Sequence, residues 1–535
     1  MKKLAAAVAL SLLATAAHAQ RPGDFLASQF AARNGDPGKA AKSMSQALAA
    51  DPANPQLRED AFVLALLASD PKAPELARAL PGNSLAQLLL AAQSARDGNW
   101  QAAELSFAEL PHQALTDALR PLLLAWAQQA QGLSDRAMDT LQPALANTKL
   151  GAIPLLHAAL LADAAHRDGL AQRLYADLSH GQIQPSLQFA LILGSWQARS
   201  GDMNAARATL DAAIKTSPEL AIAKPALLDA LQHAQAPTPQ HGLAQVLVQV
   251  AAATAGQNDH DISELLVRVA LFAEPRLTEA HLLAAELAAS HKQWPLAARE
   301  LEAVPASDPL YAIAQLRLAN AYHRGGRADD AAQLLRGLAG AHPTQPEPWT
   351  ELGDILSDQK QFTPAIDAYD HAIALIRRPL PADWVVFYAR GSVLERAHEW
   401  PRAQADMNRA LELSPDQPFV LNFLGYAMAE RGEDLPLARG MIEKALHARP
   451  NDGAIVDSLG WVSLRQGQTK EALRLLEKAA ELQPEDPSIT GHLGDAYWDA
   501  GRHHEAEDQW RRALVLNPDP EDRARIEGRL RSAAQ

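Results

Sequence analysis

Residues 459–484 read LGWVSLRQGQTKEALRLLEKAAELQP, and residues 493–518 read LGDAYWDAGRHHEAEDQWRRALVLNP. A shift of 34 residues superimposes Leu459, Gly460, Gly467, Ala472, Ala479 and Pro484 on Leu493, Gly494, Gly501, Ala506, Ala513 and Pro518. Small residues and helix breakers recurring at one spacing predict pairs of antiparallel helices, each pair one repeat. Gly494 and Ala506 fall where the two helices of a pair cross, and small side chains there let the backbones approach. Leu493, Tyr497 and Trp510 fill the surrounding space. Gly501 ends the first helix, since glycine tolerates the left-handed conformation of a helix C-terminus. Pro518 ends the second, because proline cannot continue the hydrogen-bond ladder.

Working outward, the same marks recur upstream. Trp349, Leu352, Gly353, Ala365, Tyr369 and Ala372 make one repeat, and Gly391, Ala403, Ala410 and Pro415 another. Leu424, Gly425, Gly432, Ala445 and Pro450 make a third, with one extra residue in its turn. The match weakens toward the N-terminus but returns at Gly194, Gly201, Ala206, Ala213 and Pro218, and at Gly35, Ala40, Met44, Ala47 and Pro52. The expected fold is all-α, a solenoid of about 13–14 helix-turn-helix repeats. Strand-like alternation bounded by hairpin turns is missing.

Two stretches interrupt the rhythm. Ala236-Pro237-Thr238-Pro239 follows an apparently unpaired helix near 220–234 and suggests a joint between an N-terminal array, 20–236, and a C-terminal array, 241–518. Arg377 to Pro381 lengthens a later link. A last helix, 519–535, is expected to close the solenoid with a polar surface: Asp519 suits its N-cap, Pro520 its first position, and Glu521 and Asp522 its positive end.

Residues 1–19 have the make-up of a secretory leader. Lys2 and Lys3 precede an apolar run from Leu4 to Ala17, and Ala17 and Ala19 suit a signal peptidase acting before Gln20. That run is about 14 residues, short of the roughly 20 needed to span a bilayer. With no cysteine in the chain, disulfides, thiolate zinc sites and a lipid anchor on a mature N-terminal cysteine are excluded, Gln20 standing at that place. The expected location is the periplasm, without a lipid anchor. The net charge of −14 becomes −16 when Lys2 and Lys3 leave with the leader. An acidic chain without a basic stripe repels phosphate backbones and anionic lipid, which argues against nucleic acid and direct membrane insertion.

Small residues in these slots at this period resemble the tetratricopeptide repeat. Arrays of that family line their inner face mainly with the second, fifth, ninth and twelfth residues of each repeat. The resemblance places Phe419, Asn422, Tyr426, Asp457, Trp461, Asp495 and Trp498 there. Aromatic rings interleaved with Asn and Asp suit an extended peptide or a partner helix; the other reading has Tyr426, Trp461 and Trp498 packing between neighbouring repeats. Asp457 and Asp495 in these slots are expected to repel a carboxylate terminus. A narrower resemblance lies in the last repeats, strongest at DSLGW, Asp457 to Trp461, and HLGDAYW, His492 to Trp498. These are similar to Gram-negative envelope proteins akin to the lipoprotein adaptor of a carboxyl-terminal processing protease.

Sequences for phosphate loops, HExxH, GxSxG and EF-hands are lacking. His503 and His504, with Glu505 and Asp508 nearby, lie in a solvated turn and diverge, which does not make a metal site. No catalytic residue, metal or cofactor is expected. The expected function is a non-enzymatic protein-interaction scaffold, an adaptor recruiting a processing protease or cell-wall enzyme. The alternative is an assembly scaffold of an envelope export complex, for instance for an exopolysaccharide.

Overall fold

The computed structural model describes residues 22–145, 151–180, 187–256 and 259–533. The expected leader, 1–19, lies outside them. Among the described residues there are thirty α-helices and no strand. Lys224–Gln232 follows a 3-10 turn, Pro218–Ala223, instead of a full α-helical partner, and Pro520–Ala533 ends the chain. The other helices form fourteen antiparallel hairpins in sequence, so the fold is the all-α repeat solenoid read from the period. The helix expected near 220–234 is paired after all, but with that short 3-10 turn.

The helices that shape the two inner faces are, in chain order, α1 (Pro55–Leu67), α2 (Ser84–Arg96), α3 (Ala114–Ala130), α4 (Ile153–Ala164), α5 (Pro239–Ala255) and α6 (His260–Ala273), then α7 (Trp384–Arg396), α8 (Pro418–Arg431), α9 (Gly453–Arg465), α10 (Pro487–Asp499), α11 (His503–Val515) and α12 (Pro520–Ala533).

The spacing works for the reason the small residues implied. A Cβ on Gly460 would stand 2.7 Å from Leu476, one on Gly494 2.5 Å from Trp510, and one on Gly425 2.6 Å from Ile442. Each fully buried Leu or Ile at these crossings contributes about 1.5–3 kcal/mol. Gly467 and Gly501 end their helices at φ +74° and +76°. The equivalent turn residues elsewhere include Ser69, His166, Lys292, Lys360 and His398, all at φ between +54° and +60°. The left-handed turn is thus kept even where glycine is not, which is why glycine spacing alone loses the repeat upstream. The extra residue after Gly432 is absorbed by Asp434 at φ +24°, whose carboxylate accepts from the Leu437 amide at 3.1 Å.

The chain divides into two compact units, 1–348 and 349–535. The Ala236–Pro239 stretch lies inside the first. Within that unit the α5–α6 hairpin does not simply continue the stack. Helix α5 packs on α3 and α4, and α6 packs on α1 and α2, all of them first helices of earlier hairpins. Helix α5 is buried on every side from Gly242 to Ala251. A helix apolar all round must be enclosed, and here the inner face of the N-terminal hairpins encloses it. Gly242 allows the closest approach: a Cβ there would lie 2.2 Å from the Trp126 ring. Arg96 of α2 caps the contact, its guanidinium 4.2 Å from the Phe272 ring centroid of α6. A buried ion cluster ties α6 onward. Arg268 donates to Glu300 at 2.7 Å and the ring of His281 meets Glu300 at 3.0 Å. Burial alone would raise the Glu300 pKa; His281 and Arg268 together pull it down to about 2.

Candidate functional site: the inner face of the second unit

Helices α8, α9 and α10 are first helices of three consecutive repeats. Asp452 and Asp486 fix the starts of α9 and α10 by accepting from backbone amides of the first turn, at 3.4 Å from Ile455 and 3.1 Å from Ile489. Held this way, the seven residues expected on the inner face divide into two groups.

Phe419, Asn422 and Tyr426 border solvent on α8. Phe419 is 40% exposed, with the Arg449 guanidinium 4.7 Å from its ring centroid. Asn422 and Tyr426 are half-buried. The Asn422 Oδ1 is buried without a hydrogen-bond partner, an unmet acceptor on this face. Burial and the carboxylates of Glu430, Asp457 and Asp522 push the Tyr426 phenol far above its ordinary value. Tyr426 is therefore a neutral donor at any physiological pH.

Asp457, Trp461 and Asp495 are buried, and Trp498 is half-buried. Trp461, 6% exposed, stacks on the His492 ring at 4.2 Å and 24°. Its indole Nε1 is buried without an acceptor. His492 sits between Trp461 and Asp457, with Nδ1 2.9 Å from the Asp457 carboxylate. Burial opposes a charged His492 ring, and the Asp457 carboxylate outweighs it, raising the pKa. Asp495, 3% exposed, accepts from Trp510 Nε1 at 3.0 Å and pairs with Arg525 at 2.6 Å and Arg529 at 3.2 Å, both on α12. Trp498 lies between His503 at 4.2 Å and Trp510 at 5.5 Å. Asp457, Trp461 and Asp495 thus join their repeat to the element that follows it, while Trp498 packs inside its own hairpin.

These pairings correct the charge argument drawn from Asp457 and Asp495. The Asp495 carboxylate, held by two guanidiniums of α12, presents no net negative charge to a ligand, and the Asp457 carboxylate is turned onto the His492 ring. Repulsion of a carboxylate terminus at these slots therefore does not follow.

Three further aromatic residues belong beside Phe419 and Tyr426. Tyr388 of α7 meets Phe423 of α8 edge-on at 6.1 Å, and Trp384 lies 5.9 Å from Tyr388. All three are half-buried, and Val385 beside them is exposed. Val385 and Tyr388 occupy the second and fifth positions of their repeat, so the rule that selected Phe419 and Asn422 selects them too. His492 and Arg525 carried a weaker signal, a base placed about one repeat after an acid.

Among the described residues, no group of three or more His, Asp or Glu could hold a metal ion. None of their helices is long and apolar enough to cross a membrane. His503 starts α11, packed on Trp498, and His504 is exposed.

Among solved structures the chain is similar to the Cut9–Hcn1 hetero-tetramer of the APC/C, at 14% identity over 99% of each chain with a TM-score of 0.40. It is also similar to a tetratricopeptide repeat protein from Parabacteroides merdae, at 15% identity over 48% of this chain and 99% of that one, TM-score 0.40. YrrB, described as a TPR protein with an unusual peptide-binding site, aligns at 18% identity over 37% of this chain and 99% of its own, TM-score 0.28. No curated protein sequence matches the chain. The tetratricopeptide-repeat profile matches residues 388–453 and 458–522, and the tetratricopeptide-repeat-like domain profile matches 244–379. Such repeats generally form non-catalytic surfaces that bind other proteins. Residues 244–379, 388–453 and 458–522 are thus built of segments that match tetratricopeptide-repeat family models.

Proposed function

We propose that the protein is a periplasmic, non-enzymatic adaptor that docks a protein partner on the inner face of its second unit, the partner being a carboxyl-terminal processing protease or a cell-wall enzyme. The observation that carries the docking surface is the row of solvent-bordering rings Tyr388, Phe419, Phe423 and Tyr426 on adjacent first helices, with the unmet Asn422 acceptor among them. Aromatic side chains supply contact area at small entropic cost, and an unpaired acceptor favours a partner that brings a donor. The envelope location rests on the leader-like residues 1–19, and the protease reading on the likeness of DSLGW and HLGDAYW to protease-adaptor repeats.

The test is affinity capture of residues 20–535 from envelope extract under mild cross-linking, with mass spectrometry. The expected result is a periplasmic serine protease, lost from the Phe419→Ala/Tyr426→Ala double variant while its circular dichroism stays unchanged. Recovery of polysaccharide synthase or pore subunits without a protease would replace the adaptor reading with the export scaffold.

A further inference from the structure

In a solenoid each repeat touches its neighbours in sequence and leaves the inner face of the first helices open. The first unit departs from this. Helices α5 and α6 lie across the first helices of four earlier hairpins, α1 to α4. The internal symmetry of the chain identifies the docking point. Trp126 stands six residues before the left-handed Gly132, as Trp461 stands six before Gly467. His157 stands nine before the left-handed His166, as His492 stands nine before Gly501. Trp126 and His157 are therefore the first unit's counterparts of the inner-face pair Trp461 and His492. Their rings meet edge-on at 6.0 Å, and Trp126 Nε1 donates to His157 Nδ1 at 2.9 Å. Helix α5 crosses at this pair, with Gly242 against the indole and Gln249 beside the imidazole.

The contact has the chemistry of a bound ligand more than of a permanent core. Helix α5 contains no Asp, Glu, Lys or Arg, yet it carries Gln245 and Gln249 into the buried face. Gln245 bonds Gln188 and approaches His241 at 3.3 Å and Glu279 at 3.4 Å. Gln249 is the side chain that meets the buried His157 imidazole, so these polar groups find each other across the contact and not within one element. Interfaces that form and part carry more polar groups than permanent cores. The hairpin hangs on residues 234–238, which have no regular structure and include Pro237.

We propose that the α5–α6 hairpin is an autoinhibitory, intramolecular ligand of the first unit's inner face, displaced by a partner helix of the same chemistry: uncharged, rich in Val, Leu and Ala, with glycine where it crosses Trp126. This rests on α5, Trp126 and His157 alone and is independent of the protease reading.

Hydrogen–deuterium exchange on residues 20–535 tests it without a partner. Amides of 239–273 should exchange together, at least tenfold faster than the protected amides of 153–180. Exchange of both segments at one common rate would mean that the hairpin parts only on global unfolding and would overturn the proposal. A second measurement uses a fluorescent peptide of residues 239–255 with a solubilising lysine tail. Gly242→Ala, whose Cβ collides with Trp126, should bind it saturably and at least tenfold more tightly than the parent chain. Loss of helicity and of protection across all of 22–348 in that variant would show the hairpin to be inseparable from the core, against the proposal.

Discussion

Replacing Gly494 by alanine adds one methyl group, and the structure gives its consequences. The new Cβ would stand 2.5 Å from Trp510 Cδ1, 2.6 Å from Trp510 Nε1 and 3.2 Å from the Ala506 carbonyl. Trp510 is fully buried and has no open side to move toward. Overpacking of this kind costs about 1–3 kcal/mol. Shifting the indole also breaks its bond to the Asp495 carboxylate, 3.0 Å long; a hydrogen bond to a charged group is worth about 1.5–3 kcal/mol. Alanine returns about 1 kcal/mol through helix propensity. The expected net loss is about 1.5–5 kcal/mol. Gly440, inside Leu435–Ala448 of the same unit, has nothing within 4 Å of a built Cβ, so Gly440→Ala should gain about 0.5–1 kcal/mol. Urea unfolding followed by circular dichroism, with hydrogen exchange over residues 487–515 to locate the loss, reads both. A Gly494→Ala protein as stable as its parent would refute the account of glycine as the residue of close crossing.

Glu300→Ala should destabilise the first unit by about 3–5 kcal/mol, because it removes the 2.7 Å partner of the buried Arg268 and leaves it only Glu264, 3.9 Å away; the urea midpoint measures it, and the Glu300 contribution, present above the ordinary glutamate range, should fade as pH drops toward about 2. The raised His492 pKa means that the Asp457 pairing contributes fully below about pH 6.5 and is lost as pH rises through the folded value. The denaturation midpoint of the second unit should therefore fall on going alkaline, and His492→Gln should flatten that slope; an unchanged slope would remove His492 as its source. Lys360→Gly relieves a left-handed side chain at φ +58° and should stabilise the second unit by about 0.5–1 kcal/mol, seen as a higher thermal midpoint.

The hairpins were legible where the crossing glycine and the turn glycine both survive, as at Gly460 with Gly467 and Gly494 with Gly501. They faded where Ser69, His166 or Lys292 hold the left-handed turn, since a backbone angle leaves no fixed letter in the sequence. Helix α5 shows another limit. Its unbroken run of Leu, Ala, Val and Gln signals burial on every side but not what does the burying, and α3 and α4 lie far back in the chain. Register put Phe419, Asn422, Tyr426, Asp457 and Asp495 in equivalent slots, and the structure separates them: the first three border solvent, while the two carboxylates are buried against His492 and Arg525, which come from later elements that the register does not name.

The matched pairs Trp126–His157 and Trp461–His492 differ, among other neighbours, in the residue four places before the tryptophan. Asp457 stands four residues before Trp461, and at the same place before Trp126 stands Leu122. Without a carboxylate, burial pushes His157 down to about 3, whereas His492 is raised. The first unit's share of stability from His157 is then present above about pH 6.5 and lost as pH falls, the reverse of the dependence at His492. The same two rings thus carry opposite pH dependences in the two units: a carboxylate stands beside His492, and none stands beside His157.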